Sequence, residues 1–202
     1  MEIIKLSPKA LNEAVKVLND GGVVVCPTDT VYGFLALAEN EKAVEKIFKI
    51  KKRPRSKILP VFVKDLKMAG ELAEIDKNPA FAKALEGKQE KILRQKWPGP
   101  YTLILKSKNV LQTPGVCKNR TVALRIPKYK FLNNLLKKIN KPLAQTSVNV
   151  SGQPPLTKIN EIIGIFGSNP GLDLIIDAGN LPKTNPSTII DLLKEDIKIL
   201  RK

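Results

Sequence analysis

Gly21-Gly22-Val23-Val24-Val25-Cys26-Pro27-Thr28-Asp29-Thr30-Val31-Tyr32-Gly33 runs from a helix end through a strand into a polar turn. Upstream, Ser7-Pro8 supplies an N-cap and a proline at the first helical position, and Leu11, Ala14, Val15 and Leu18 keep helical spacing. Gly21-Gly22 ends that helix. Val23 to Cys26 then reads as a buried, β-branched strand stopped by Pro27. Thr28, Asp29 and Thr30 set two hydroxyls and a carboxylate at its carboxyl end, where open α/β sheets bind ligands. An ordinary polar turn uses the same residue types. Gly33 lets backbone come close to a ligand.

The alternation continues outward. Glu2 to Leu6 reads as a strand, and Asn40 caps a helix whose Val44, Ile47 and Phe48 face inward. Leu59 to Val63 reads as a strand, with Pro60 suited to its start or to an edge. About Asp65 to Lys96 reads as helical and meets a rigid turn, Trp97-Pro98-Gly99-Pro100. Thr102 to Leu105, Val122 to Ile126 and Leu143 to Val148 are strands, and Tyr129 to Ile139 is a helix. Thr157 caps a short helix through Phe166. Leu174 to Asp177, Thr188 to Asp191 and Ile197 to Leu200 close the pattern. No repeat, linker or break in composition divides the chain, so residues 1–202 are expected to form one α/β domain with no second one.

Composition excludes several chemistries. Among 202 residues there are 35 Lys and Arg, 19 Asp and Glu, two Cys and no His, for a net charge of +16. Without histidine there is no Ser-His-Asp triad, no Cys-His dyad, no histidine base and no histidine metal site. Cys26 and Cys117 cannot build a zinc site alone and do not suggest a disulfide framework, so a reduced, cytoplasmic protein with no protein-bound metal is expected. The apolar runs fall short of the roughly 20 residues that span a bilayer, and the N-terminus lacks a signal-peptide core, so no membrane partner is expected. The charge favours anionic partners such as nucleic acid, nucleotides or phosphates. Lysines that merely solvate the surface would give the same charge.

Three further segments carry candidate chemistry. Glu41 to Lys57 holds eight Lys and Arg against two Glu and ends in Ile50-Lys51-Lys52-Arg53-Pro54-Arg55-Ser56-Lys57. Pro54 favours an extended exit from the helix and so a fixed cationic loop, in which Lys51 and Arg53 could clamp phosphates; a solvated basic face is the alternative. Thr146, Ser147, Asn149 and Ser151 crowd hydrogen-bonding groups behind an apolar strand, either as a ligand surface or as a bonded turn. Ser187 and Thr188 stand at a strand boundary, and Arg201 ends the last strand. A strand-start hydroxyl pair and a disordered terminal base are the plainer readings.

Taken in order, these segments resemble the YrdC family, the threonylcarbamoyl-AMP synthases. The resemblance rests on PTDTVYG at 27–33, Lys51-Lys52-Arg53-Pro54, WPGPYTLIL at 97–105, VALRIP at 122–127, SVNVSG at 147–152, and Ser187-Thr188 with Leu200-Arg201. It covers nearly the whole chain. It implies a twisted mixed β-sheet with surrounding helices and a deep basic concave cavity. It also implies a reaction of L-threonine, bicarbonate and ATP that gives threonylcarbamoyl-AMP and pyrophosphate, for modification of tRNA beside the anticodon by a separate transferase machinery. Mg²⁺ would accompany the ATP. By motif position, Thr30, Arg125, Ser147 and Ser187 resemble the threonine-binding set. Arg53, Lys57, Thr102, Asn149, Thr157 and Arg201 resemble the ATP-binding set, and Lys51 with Arg53 the catalytic pair. Two anions must meet in this reaction, so the site has to supply positive charge and alignment more than a covalent nucleophile.

The chain departs from the family at Lys57 and Phe62, where several members carry Asn and His. A YciO-like branch shares the fold and the WPGP-like turn but is read as lacking Lys-x-Arg and Ser-x-Asn, which places this chain on the synthase side. The competing expectation is a basic module that grips double-stranded or structured RNA through its phosphates without catalysis. Weak RNA contact is also compatible with the enzyme.

Overall fold

The computed structural model describes residues 1–75, 92–193 and 198–201. In chain order the elements are β1 (Glu2–Lys5), α1 (Pro8–Asn19), β2 (Val24–Cys26), β3 (Gly33–Leu37), α2 (Glu41–Lys51), β4 (Val61–Phe62), α3 (Leu66–Leu72), β5 (Tyr101–Lys106), β6 (Cys117–Lys118), β7 (Thr121–Arg125), α4 (Lys130–Ile139), β8 (Leu143–Ser147), α5 (Ile159–Phe166), β9 (Leu174–Asp177), β10 (Thr188–Asp191) and β11 (Lys198–Arg201). The strands join one mixed sheet in the order β1-β9-β2-β3-β8-β4-β7-β5-β10-β11, and β6 pairs with β7. No helix among the described residues is long and apolar enough to cross a membrane.

Local signals set the helix starts. The Ser7 hydroxyl accepts from Ala10 N at 3.2 Å, and Asn40 Oδ1 accepts from Ala43 N at 3.0 Å. Lys52, in the left-handed region at φ 51°, ends α2 and turns the chain toward the cationic loop.

Strand alternation divides the core in two. On one face α2, α3 and α5 bring Ile47, Phe48, Leu72, Ile162 and Phe166 onto Phe34, Val61, Leu103, Leu124 and Ile190. On the other, α1 and α4 bring Leu18, Leu132, Leu135 and Leu136 onto Val24, Leu35, Phe62 and Leu143. That second layer stops at β4. Beyond it the alternate positions Thr102 and Ile104 of β5, Ala123 and Arg125 of β7, and Ile189 of β10 line a cavity instead of a helix interface.

Several expectations need correction. The helix expected over about Asp65 to Lys96 is interrupted after Leu72, because Ala73 turns extended and bridges Ser107; its stretch over residues 76–91 lies outside the described residues, and 92–96 are helical as expected. Thr157 does not cap the short helix: α5 starts at Ile159, and the first amide there is met by Asn180 Oδ1 at 3.1 Å, a partner 21 residues away. The strand expected over Leu59 to Val63 contracts to β4, because Leu59 N bonds Gly115 O at 2.7 Å, outside the ladder. Strands β3 and β6 were not expected; Gly33-Phe34-Leu35-Ala36-Leu37 is wholly buried but contains no β-branched residue.

Candidate active site

A cavity of about 180 Å³ opens on the uncovered half of the sheet. Its walls include Thr30, Arg53, Thr102, Arg125, Ser147, Ser187 and Arg201. Seven residues expected from separate sequence segments therefore meet in one place. Thr30 comes from the turn after β2, Arg53 from the loop after α2, and Ser187 from the approach to β10. Thr102, Arg125, Ser147 and Arg201 lie on β5, β7, β8 and β11.

Arg125 is the anchor. It is 2% exposed. Its guanidinium donates to Gly99 O at 3.1 Å, to Thr30 Oγ1 at 3.4 Å and to Asp29 Oδ1 at 2.5 Å, and it sits 5.5 Å from the Phe62 ring centroid. The other Asp29 oxygen accepts from Lys128 N at 3.0 Å. Asp29 thus binds the cation on one side and the start of the next segment on the other. The Trp97-Pro98-Gly99-Pro100 turn acquires a role here, because it presents the Gly99 carbonyl to Arg125. Backbone carbonyls carry no side-chain signature, so sequence reasoning had no means of finding that contact.

Thr102 and Ser187 share a hydrogen bond at 2.8 Å. Arg201 donates to Ser187 O at 2.7 Å and to Ser187 Oγ at 3.1 Å. Arg53 donates to Lys57 O at 3.0 Å and Ile58 O at 2.9 Å, which closes its loop. The expected fixed cationic loop is therefore present, held by the guanidinium itself. Among the described residues no carboxylate lies within ion-pair distance of Arg53 or Arg201. Burial lowers the pKa of all three arginines. Arg201 lowers Arg53 further, and Arg125 lowers Arg201, whereas Asp29 works against the fall at Arg125. Arg53 and Arg201 each bear the repulsion of a neighbouring guanidinium, a strain that an anion would relieve.

Four expected residues lie off the cavity wall. Lys51 is 1% exposed beneath the turn after β8. Its ammonium donates to Asn149 Oδ1 at 2.7 Å, to Asn149 O at 3.0 Å and to Ser147 O. Asn149 is occupied as well: Oδ1 also accepts from Ser147 Oγ at 2.7 Å, and Nδ2 donates to Gln153 O at 2.6 Å. The hydrogen-bonded turn and the ligand surface are one device, with Lys51 and Asn149 holding Ser147 in place. The Lys57 side chain is exposed, while Thr157 is half-buried and offers its carbonyl to Leu181 N at 2.9 Å.

Burial first, and Arg53 second, lowers the Lys51 pKa to about 7. The unfolded chain holds this proton up to about pH 10.4, so stability from this group rises with pH between about 7 and 10.4. Below about pH 7 both states are protonated and the term is constant. Lys51→Met is expected to remove that slope, which denaturant unfolding of both proteins at pH 6, 8 and 10 would read. Parallel stability profiles for the two would refute the assignment.

A chamber walled by three guanidiniums and a set of hydroxyls, on the open half of a mixed α/β sheet, has the chemistry that suits an anionic small molecule. Comparison with known proteins narrows the class. The Sua5/YciO/YrdC family model, described as "Telomere recombination", matches residues 16–202, and the chain belongs to that family. It is 36% identical over 192 residues to a Methanocaldococcus jannaschii protein named as a candidate threonylcarbamoyl-AMP synthase, covering 95% of this chain and 84% of that one. It is 31% identical over 184 residues to the Pyrococcus abyssi threonylcarbamoyl-AMP synthase, covering 91% of this chain but 51% of that one. The crystal structure of P. abyssi Sua5 complexed with L-threonine superposes with a TM-score of 0.84 at 29% identity, over 100% of this chain and 57% of that one. Escherichia coli YciO superposes with a TM-score of 0.82 at 26% identity, over 100% of this chain and 93% of that one.

Proposed function

We propose that the chain is a threonylcarbamoyl-AMP synthase. The observation that carries this reading is the convergence of Arg53, Arg125 and Arg201 with the hydroxyls of Thr30, Thr102, Ser147 and Ser187 in one cavity of a chain related to named synthases. In the first step the threonine amine attacks the carbon of bicarbonate, a C–N bond forms, and water leaves. In the second, a carbamate oxygen attacks the α-phosphorus of ATP, and pyrophosphate leaves with the electrons of the broken P–O bond. Both encounters join electron-rich partners, so fixed positive charge and alignment supply the acceleration.

Roles follow from position. Arg125, held by Asp29 and Gly99, faces the threonine carboxylate together with Thr30, Ser147 and Ser187. Arg53 and Arg201, free of carboxylate partners, take the phosphates, with Thr102 beside Ser187. Lys51 acts from beneath by holding Ser147 and Asn149 in place. Asn149, Lys57 and Thr157 join the nucleotide set on the resemblance alone. Mg²⁺ would arrive on the ATP phosphates. Asp29 does not fit a cation ligand, since both of its oxygens are engaged, and no step is drawn through a protein-held metal. The product is handed to a tRNA-modifying transferase machinery, and a cytoplasmic location suits these substrates.

Pyrophosphate release tests the proposal when L-threonine, bicarbonate and ATP are each omitted in turn. Release that requires all three is expected. ATP binding without threonine-dependent release would overturn the synthase reading.

A further inference from the structure

We infer that Gln145 is a substrate-positioning residue whose side-chain amide accepts a hydrogen bond from the amino group of the bound amino acid. This rests on the proposed synthase function. Gln145 lies on β8, two residues before Ser147 and on the same face by strand alternation. It is 8% exposed and lines the cavity. Its Oε1 points toward Gly33, where a Cβ built on the glycine would stand 3.9 Å from it. The strand beneath is fixed, since Gln145 N donates to Pro60 O at 2.8 Å.

The amide is not used by the protein: among the described residues its side chain makes no hydrogen bond. The buried polar groups around it are satisfied, since Thr30 bonds Thr28 and Arg125, and Thr102 bonds Ser187. Gln145 is a polar cavity side chain that the protein itself does not engage, so its amide is free to meet a ligand there. A ligand that satisfies it explains why it is there.

The surroundings select which part of the ligand. Carboxylate and phosphate oxygens have three guanidiniums to choose from. The amine has no free carboxylate, because Asp29 is spent on Arg125 and Lys128. It must also be neutral to act as a nucleophile, and a carboxylate acceptor would hold it as ammonium. An amide oxygen accepts the N–H without adding the charge that keeps the proton on, so it can aim the lone pair at the incoming carbon.

Gln145→Met keeps the length and removes the hydrogen bond; Gln145→Glu keeps the shape and adds a charge. The readouts are initial rates of pyrophosphate release against L-threonine and against ATP, a pH–rate profile, and Tm. For Gln145→Met the threonine KM should rise roughly tenfold or more while the ATP KM stays within about twofold and Tm is not lowered, since loss of one good hydrogen bond is worth about a decade in affinity. For Gln145→Glu the limb of the profile set by the amine should move to higher pH. A Gln145→Met protein of unchanged threonine KM, a parallel rise in both KM values, or an unmoved Gln145→Glu profile overturns the inference while the synthase reading stands. Wild-type protein without threonine-dependent release overturns both.

Discussion

Arg125→Leu is expected to lower stability by roughly 3–5 kcal/mol and to abolish threonine-dependent pyrophosphate release. The stability loss follows from Asp29, which would stay inside with one oxygen stripped of its charged partner. The Gly99 carbonyl would lose its donor in the same stroke. Arg125→Lys is expected to fail too, because one ammonium cannot span Gly99, Thr30 and Asp29 as a planar fork does. Chemical denaturation of Arg125→Leu, Asp29→Asn and the double variant separates the two effects. The double variant should recover part of the stability but none of the activity. Recovery of activity there would show that Arg125 serves the fold alone.

Arg53→Gln is expected to weaken ATP binding roughly 10–100-fold, the worth of one to two charge-assisted hydrogen bonds. The fold should hold, because glutamine keeps a donor for the Lys57 and Ile58 carbonyls and relieves repulsion against Arg201. Calorimetric titration with ATP at two salt concentrations reads both the loss and a shallower salt dependence. An unchanged ATP affinity with an unchanged salt slope would remove Arg53 from the phosphate site.

What the sequence revealed depended on where chemistry leaves a side-chain trace. Ser7-Pro8 and Asn40 announced their helices because a cap is a local bond. Arg53, Ser147 and Ser187 stood out because basic and hydroxylic clusters at strand ends serve packing poorly. Thr157 misled because the donor it was expected to satisfy is met by Asn180, a contact made only in the folded chain. Strand β3 is hidden because Phe34-Leu35-Ala36-Leu37 suits a helix as well as a strand, and its pairing with β2 on one side and β8 on the other decides the matter from outside. Gln145 carries no sequence signal for a related reason: one glutamine in a strand is unremarkable until the fold sets it in the cavity wall. Lys51 was found as a cation, but its place under the turn follows from acceptors almost a hundred residues further along the chain.

The cavity floor consists of β5, β7, β8 and β10, each bonded to strands on both sides within the path that runs from β1 to β11. Such a floor cannot flex without breaking ladder bonds on either side. The roof consists of the 27–33 turn, the Arg53–Ile58 loop and the segment leading to Ser187, where Thr184 reaches across to the Thr30 carbonyl. Under the proposed function, admission of substrates and escape of pyrophosphate would fall to loops and alignment to strands, so that turnover could be gated without disturbing the geometry of the reacting atoms. The alternation of the floor carries a second consequence for laboratory evolution. Ile104, Ala123 and Ile189 face the chamber while their neighbours Leu103, Leu124 and Ile190 face the core. Substrate range can thus be redrawn at every second position with the load on the fold left nearly constant.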